Sequence, residues 1–136
     1  MENRTIKFRG KNIHTGEWLQ GDYHRVGKTH YITKPGDLLR EYAPIEFIVD
    51  EKTIGQFAGL LDKNGKEIYE GDRVNVVQAE RNFDIVVKWS NEAMAFMACY
   101  ADGKQSPFSW FTNLRIYQLT VVGSIHDNPS LISDKR

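Results

Sequence analysis

Apolar and polar positions alternate in short bursts along this chain, and most bursts have the two-residue period of a strand with one buried face. Ile6-Lys7-Phe8-Arg9 alternates apolar and basic residues. A turn cluster at 12–16 leads into Trp18-Leu19-Gln20 and then Gly21-Asp22. Gly27-Lys28 separates Tyr23–Val26 from Thr29–Thr33, which predicts a hairpin closed off by Pro35-Gly36. Between Asp37 and Pro44 the pattern is weak and predicts a loop with at most one helical turn, and Phe47-Ile48-Val49 is a compact β-type run.

The most ordered stretch follows. Ile54, Phe57 and Leu60-Leu61 precede Asp62-Lys63-Asn64-Gly65, and Ile68-Tyr69 precedes Glu70-Gly71-Asp72. Asn-Gly between apolar segments predicts a hairpin with positive φ at both residues. Val74, Val76 and Val77 predict the next strand, paired through a polar turn around Glu80-Arg81-Asn82 with Phe83, Ile85, Val87 and Trp89, all four placed on one core-facing side. Ala93 to Tyr100 is compatible with helix through its Ala and Met content, but its length and the Asp102-Gly103 turn favour strand. Ile116 to Ile125 predicts a strand with a bulge at Gly123, ended by Asn128-Pro129, with a short helical turn and a frayed tail beyond. Gly16–Asp22 echoes Gly65–Asp72, a likeness that shared turn chemistry accounts for better than duplication.

A chain of 136 residues can bury roughly two thirds of its unfolded surface without a disulfide or metal. One cysteine, Cys99, excludes an intramolecular disulfide and fits a reducing cytoplasm. Met1-Glu2-Asn3-Arg4 lacks a signal-peptide pattern, and the longest apolar run, Ala93 to Ala101, has nine residues, about half a membrane span. The expectation is a cytoplasmic protein without membrane contact.

Eighteen Lys and Arg balance eighteen Asp and Glu. Nucleic-acid binding through phosphates normally shows a basic excess or stripe. Arg4, Lys7, Arg9 and Lys11 form the only dense basic stretch, read here as a solvated face on an edge strand that also discourages edge pairing.

Candidate chemistry is sparse. His14, His24, His30 and His126 have no metal-ligand spacing, although His24 and His30 could face each other across the hairpin. Cys99 lies in an apolar run and reads as a buried, inert thiol. Asp62 cannot open a calcium loop: glycine falls at the fourth position and Arg73 at the twelfth. Phosphate-cradling glycine loops and a nucleophile elbow are absent. Glu67, Glu70 and Asp72 read as solvation of a glycine turn rather than an acid–base pair. Phe108, Trp110, Phe111 and Tyr117 read as core or subunit contact rather than a base-stacking platform. No catalytic, cofactor-binding or metal-binding residue is assigned.

Asp50 to Leu60 together with Asp62 to Val74 closely resembles the hallmark segment of the YopX-like family of phage and prophage proteins. Ile6-Lys7-Phe8-Arg9-Gly10 is similar to the family's opening, Gly16–Asp22 to its second block and Val121–Pro129 to its closing strand; Ala58 stands where the family commonly has threonine. The resemblance implies a mainly β fold: a single YopX-like domain over residues 1–136, with a small barrel, little helix and no catalytic residues to carry over. The Gly-Asp-x-Val turn feeding a valine-rich strand is also similar to the entry of an SH3-like barrel. The function expected is that of a non-catalytic accessory or protein-interaction protein, partnered by another protein or by its own copies. A nucleic-acid-binding small barrel is the alternative.

Overall fold

The computed structural model describes residues 4–37 and 45–127. They contain ten strands and three short 3-10 turns, in two antiparallel sheets, with no α-helix among the described residues. The weak stretch at 38–44 and the chain beyond Asp127 lie outside them. The chain forms two compact units, Met1–Phe57 and Ala58–Arg136.

In the first unit, β1 (Phe8–Lys11), β2 (Trp18–Val26) and β3 (Thr29–Thr33) join the start of β4 (Gly55–Leu61) in the order β3-β2-β1-β4. The predicted Gly27-Lys28 hairpin forms, with Val26 opposite Thr29. The edge-strand expectation for the basic stretch is overturned. β1 pairs with β2 on one side and β4 on the other, so its backbone is covered from both directions. Arg9 is only 5 % exposed, its guanidinium 4.1 Å from the centre of the Trp18 ring, and Lys11 Nζ lies 5.2 Å from the same ring. Two cations stacked on one indole are packing elements rather than a solvated stripe.

Gly21-Asp22 also departs from expectation. The pair lies inside β2 and not in a turn, whereas Gly71 does occupy one, so shared turn chemistry accounts for the opening glycines of the echo, Gly16 (φ 72°) and Gly65 (φ 81°), but not for Gly21-Asp22. The 3-10 turn Ile45–Phe47 ends the Phe47 run early, leaving Ile48 and Val49 bridged to Tyr31 and Asn12.

The second unit holds the rest of β4, then β5 (Glu67–Tyr69), β6 (Asp72–Gln78), β7 (Arg81–Ser90), β8 (Ala95–Cys99), β9 (Gln105–Pro107) and β10 (Gln118–Ser124). Its five-stranded sheet runs β10-β6-β7-β8-β9. Val74 and Val76 of β6 alternate inward and meet Ile85 and Val87 of β7, Ala98, Leu119, Phe108 and Phe111 in one core. Each of these valine, isoleucine, leucine and phenylalanine side chains contributes about 1.5–3 kcal/mol on burial, and Ala98 less. The ambiguous Ala93–Tyr100 segment is a strand, and the bulge falls between Val121 and Gly123. The β6–β7 loop is Ala79-Glu80, one step earlier than expected, with Ala79 at φ 51°.

Trp89 corrects a core assignment. It shares a face with Ile85 and Val87, yet is 44 % exposed, because β7 runs past the end of the core before reaching it. Its ring packs edge-on against Phe96 at 5.2 Å and its indole N–H donates to Asn91 Oδ1. The cost of truncating a buried aromatic therefore does not apply to it.

The Asn-Gly loop stands where expected, but with different geometry. The Gly65 N–H donates to the Asp62 carbonyl and the Asp62 N–H to the Lys66 carbonyl, leaving three residues in the loop. Gly65 has φ 81°, whereas Asn64 is not in the positive region. This is a three-residue hairpin loop with glycine alone in the left-handed position, not the two-residue turn with positive φ at both. A Cβ on Gly65 would meet nothing within 4 Å, so substitution is opposed by backbone strain only. Gly65→Val is expected to lower stability by more than about 1 kcal/mol, while Asn64→Ala stays within a few tenths. Paired urea melts check this; equal midpoints for wild type and Gly65→Val would refute the assigned loop.

Candidate functional site

The first unit carries an open groove built around one buried asparagine. Asn12, 4 % exposed, satisfies all four bonds of its amide. Its Nδ2 donates to the carbonyls of Ile45 (3.3 Å) and Glu46 (2.8 Å), and its Oδ1 accepts from the N–H groups of His14 (2.9 Å) and Thr15 (3.0 Å). One side chain thus fixes both walls, the turn after β1 and the 3-10 turn Ile45–Phe47. The Asn12 N–H, given to the Glu17 carbonyl, closes the first wall on itself. The open groove between them has a volume of about 520 Å³, and the described residues that line it are Asn12, His14, Thr15, Glu17, Leu19, Ile45, Glu46 and Phe47. Leu19, Ile45 and Phe47 supply an apolar surface, with Ile45 66 % exposed. The side-chain carboxylates of Glu17 and Glu46 carry no hydrogen bond or ion pair among the described residues.

A preformed groove of this size with an apolar wall and a few polar groups is the usual form of a binding site. Sequence reasoning placed Asn12 in a turn and assigned nothing to Ile45, because the partners that make them a site are over thirty residues apart. The local signal that existed was the Asn12–Gly16 turn cluster.

The residues singled out earlier are dispersed or spent on structure. His24 and His30 do not face each other: His24 pairs with Tyr31 and His30 with Arg25, which puts the two imidazoles on opposite faces. His24 Nε2 bonds Thr33 Oγ1 at 2.9 Å. The Tyr23 hydroxyl shares a 2.6 Å hydrogen bond with His30 Nδ1, and His30 Nε2 lies 3.5 Å from Glu51 Oε2. Tyr23 and Glu51 thus flank this buried ring on its two nitrogen sides. Among the described residues no three His, Cys, Asp or Glu side chains are grouped so as to hold a metal ion.

Asp72 is buried and accepts from the Tyr69 N–H at 2.8 Å, and Glu67 accepts from the Tyr69 hydroxyl at 2.9 Å. These carboxylates brace the Gly71 turn rather than solvating it. Cys99 is half-buried, not enclosed, because it sits on the outer alternate position of β8 next to buried Ala98. Phe108 and Phe111 are core residues and Tyr117 packs on Phe111 at 5.0 Å, while Trp110 stands 64 % exposed.

Asp62 is the residue whose role the sequence did not disclose. Its side chain is 5 % exposed. Oδ1 accepts from the N–H groups of Asn64 (2.8 Å) and Lys66 (2.9 Å), and Oδ2 from that of Val121 (2.9 Å), fifty-nine positions away. Burial alone would raise its pKa, but the N–H groups of Val121, Lys66 and Asn64 and the Lys66 charge together hold it below the ordinary value of 3.8. The Lys63 N–H adds a bond to the Leu119 carbonyl. The carboxylate that opens the Asn-Gly loop therefore ties that loop to β10.

Comparison with known proteins gives a consistent picture. No helix among the described residues is long and apolar enough to cross a membrane. No curated protein matches the chain. A solved structure, that of protein EF1440 from Enterococcus faecalis, is similar at 22% sequence identity with a TM-score of 0.53, covering 96% of this chain and 99% of that one, a likeness of fold. The family model described as YopX protein matches residues 7–133, which include the groove, the Asp62 loop and every described strand. With nearly its whole length matched, the chain belongs to the YopX family.

Proposed function

We propose that this protein is a phage- or prophage-type accessory protein that acts in the cytoplasm by contact with another protein, without catalysis. The observation that carries this reading is the Asn12 groove, a preformed concave surface with an exposed isoleucine and two carboxylates that have no partner among the described residues. The polar groups best suited to chemistry, His30, Asp62 and Asp72, are instead engaged in the structural bonds described above. The finer fold reading is a small barrel of SH3-like or related type in the second unit. It is supported by the Asp62 and Lys63 bonds that bring the β4–β5 loop onto β10, the edge strand of the five-stranded sheet.

A nucleic-acid-binding role is the second reading, favoured by the exposed indoles of Trp89 and Trp110. It is weakened by the packing of Arg9 and Lys11 on Trp18. Four phosphate contacts would give a salt slope of about −3.6 on duplex DNA.

The test places a photo-crosslinking residue at Ile45 of the full-length protein, expressed alone and in cells in which the phage or prophage is active. The expected result is a defined protein adduct from position 45 and none from the same residue placed at Glu80. Sedimentation then distinguishes another protein from a second copy of this chain. Absence of any adduct, together with DNA binding that weakens steeply with salt, would reverse the ranking.

A further inference from the structure

We propose that the occupant of the Asn12 groove is a basic segment of a partner protein, one that presents arginine or lysine side chains to it. The inference rests on the interaction reading above and adds the chemistry of the partner.

Two features of the groove must be satisfied together. Its wall of Leu19, Ile45 and Phe47 is apolar, and leaving Ile45 two-thirds exposed forgoes the stabilisation that its burial would give. Its rim carries the carboxylates of Glu17 and Glu46, and neither is paired with a cation among the described residues. An apolar side chain would cover the first feature and ignore the second. A small cation would do the reverse.

Arginine and lysine do both, because a methylene stem can lie along apolar surface while the charged head stays at its edge. Arginine suits the rim better: its planar fork donates two parallel hydrogen bonds to one carboxylate.

The charge of the surroundings agrees. Among the described lining residues the only group that can become cationic is His14, against two carboxylates. The cations that precede Asn12 on β1, Arg9 and Lys11, pack on Trp18. Trp18 and Leu19 are consecutive in β2, so their side chains leave opposite faces of the sheet. The cations are thereby held away from the groove side. A volume of about 520 Å³ exceeds that of one side chain and lies within the range of ligand sites. The walls are already locked by Asn12, so an occupant is not required to order them.

Fluorescein-labelled peptides of equal length, alternating Leu with Arg, Leu with Gln, or Leu with Glu, are titrated with the full-length protein and read by anisotropy. The Leu-Arg peptide is expected to bind at least about tenfold more tightly than the Leu-Gln peptide, the scale of one charge-assisted contact or more, and not to be matched by Leu-Glu. Its affinity should fall with added salt. The double change Glu17→Gln/Glu46→Gln, at exposed positions, should abolish the preference while leaving the circular dichroism and melting temperature unchanged. Glu80→Gln/Glu92→Gln, the same charge change in the other unit, should leave the preference intact.

Equal affinity for the Arg and Gln peptides overturns the inference, as does a preference that survives Glu17→Gln/Glu46→Gln or is lost equally in Glu80→Gln/Glu92→Gln. A second copy of this chain crosslinked at Ile45 also overturns it. The two readings fail separately. A partner adduct at Ile45 without an arginine preference removes the basic class and keeps the interaction; no adduct and no peptide binding removes both.

Discussion

Asp62→Ala is expected to cost about 3–5 kcal/mol, since it leaves three N–H donors without their ionised acceptor at a largely buried site. Those donors belong to Asn64, Lys66 and Val121. The loss is therefore shared between the hairpin loop and β10. Asp62→Asn keeps the shape but not the charge, and one of its two polar ends would oppose N–H with N–H, so an intermediate loss is expected.

The pH dependence has a defined sign. The folded-state pKa is depressed below the usual 3.8, so the carboxylate's contribution is present above that value and disappears as pH falls through the lower, folded pKa. Urea unfolding measured at pH 7 and again below pH 4 should show wild type losing stability in that acid interval, and Asp62→Ala losing less. Identical acid profiles for the two proteins, or a neutral-pH cost below about 1 kcal/mol, would mean that the carboxylate does not pin the loop to β10.

Gly21→Ala is the second large effect. Gly21 lies inside β2 at φ 153°, a region that L side chains rarely adopt, and a Cβ there would sit 1.8 Å from the Thr33 carbonyl oxygen of β3. The obstacle is backbone, not the end of a movable side chain. Relief requires β3 to separate from β2 across the Asp22–Thr33 pairing. Strain of this kind added to overpacking amounts to about 3 kcal/mol or more. The expected result is a first unit that no longer folds at 37 °C. Gly27→Ala, at a loop position where a Cβ meets nothing within 4 Å, should cost only the backbone strain of about 1–2 kcal/mol. Amide exchange in β2 and β3 separates the two outcomes; full protection in Gly21→Ala would show that the register of this hairpin is wrong.

The contrast between these two residues marks where one-dimensional reasoning stops. The Gly-Asp pair at 21–22 looks like a turn beside the one at 71–72. Only the strand paired beside it, β3, makes Gly21 a mid-strand necessity. Asp62, in turn, could be recognised as the opening residue of a loop and dismissed as a calcium ligand. Its tie to Val121 depends on β10 arriving alongside.

The groove follows the same rule. Asn12 was legible as a turn residue, but the carbonyls that its amide holds are those of Ile45 and Glu46, and nothing near residue 12 announces them.

Local order was carried by the chain itself. Alternation along Val74–Val77 and Phe83–Val87, glycine at the Gly27 and Gly65 loops, the Gly123 bulge and the strand at Ala95–Cys99 depend on near neighbours and on the two-residue period of a pleated strand. That period states which side chains share a face. It does not say how far the core beneath that face extends, which is why Trp89 has the right face and the wrong depth. Nor does it say which strands lie on either side, so β1 reads as a guarded edge until β2 and β4 are placed around it. Neighbours, depth and the second partner of a buried polar group are set by contacts between distant residues, and those exist only once the sheets have formed.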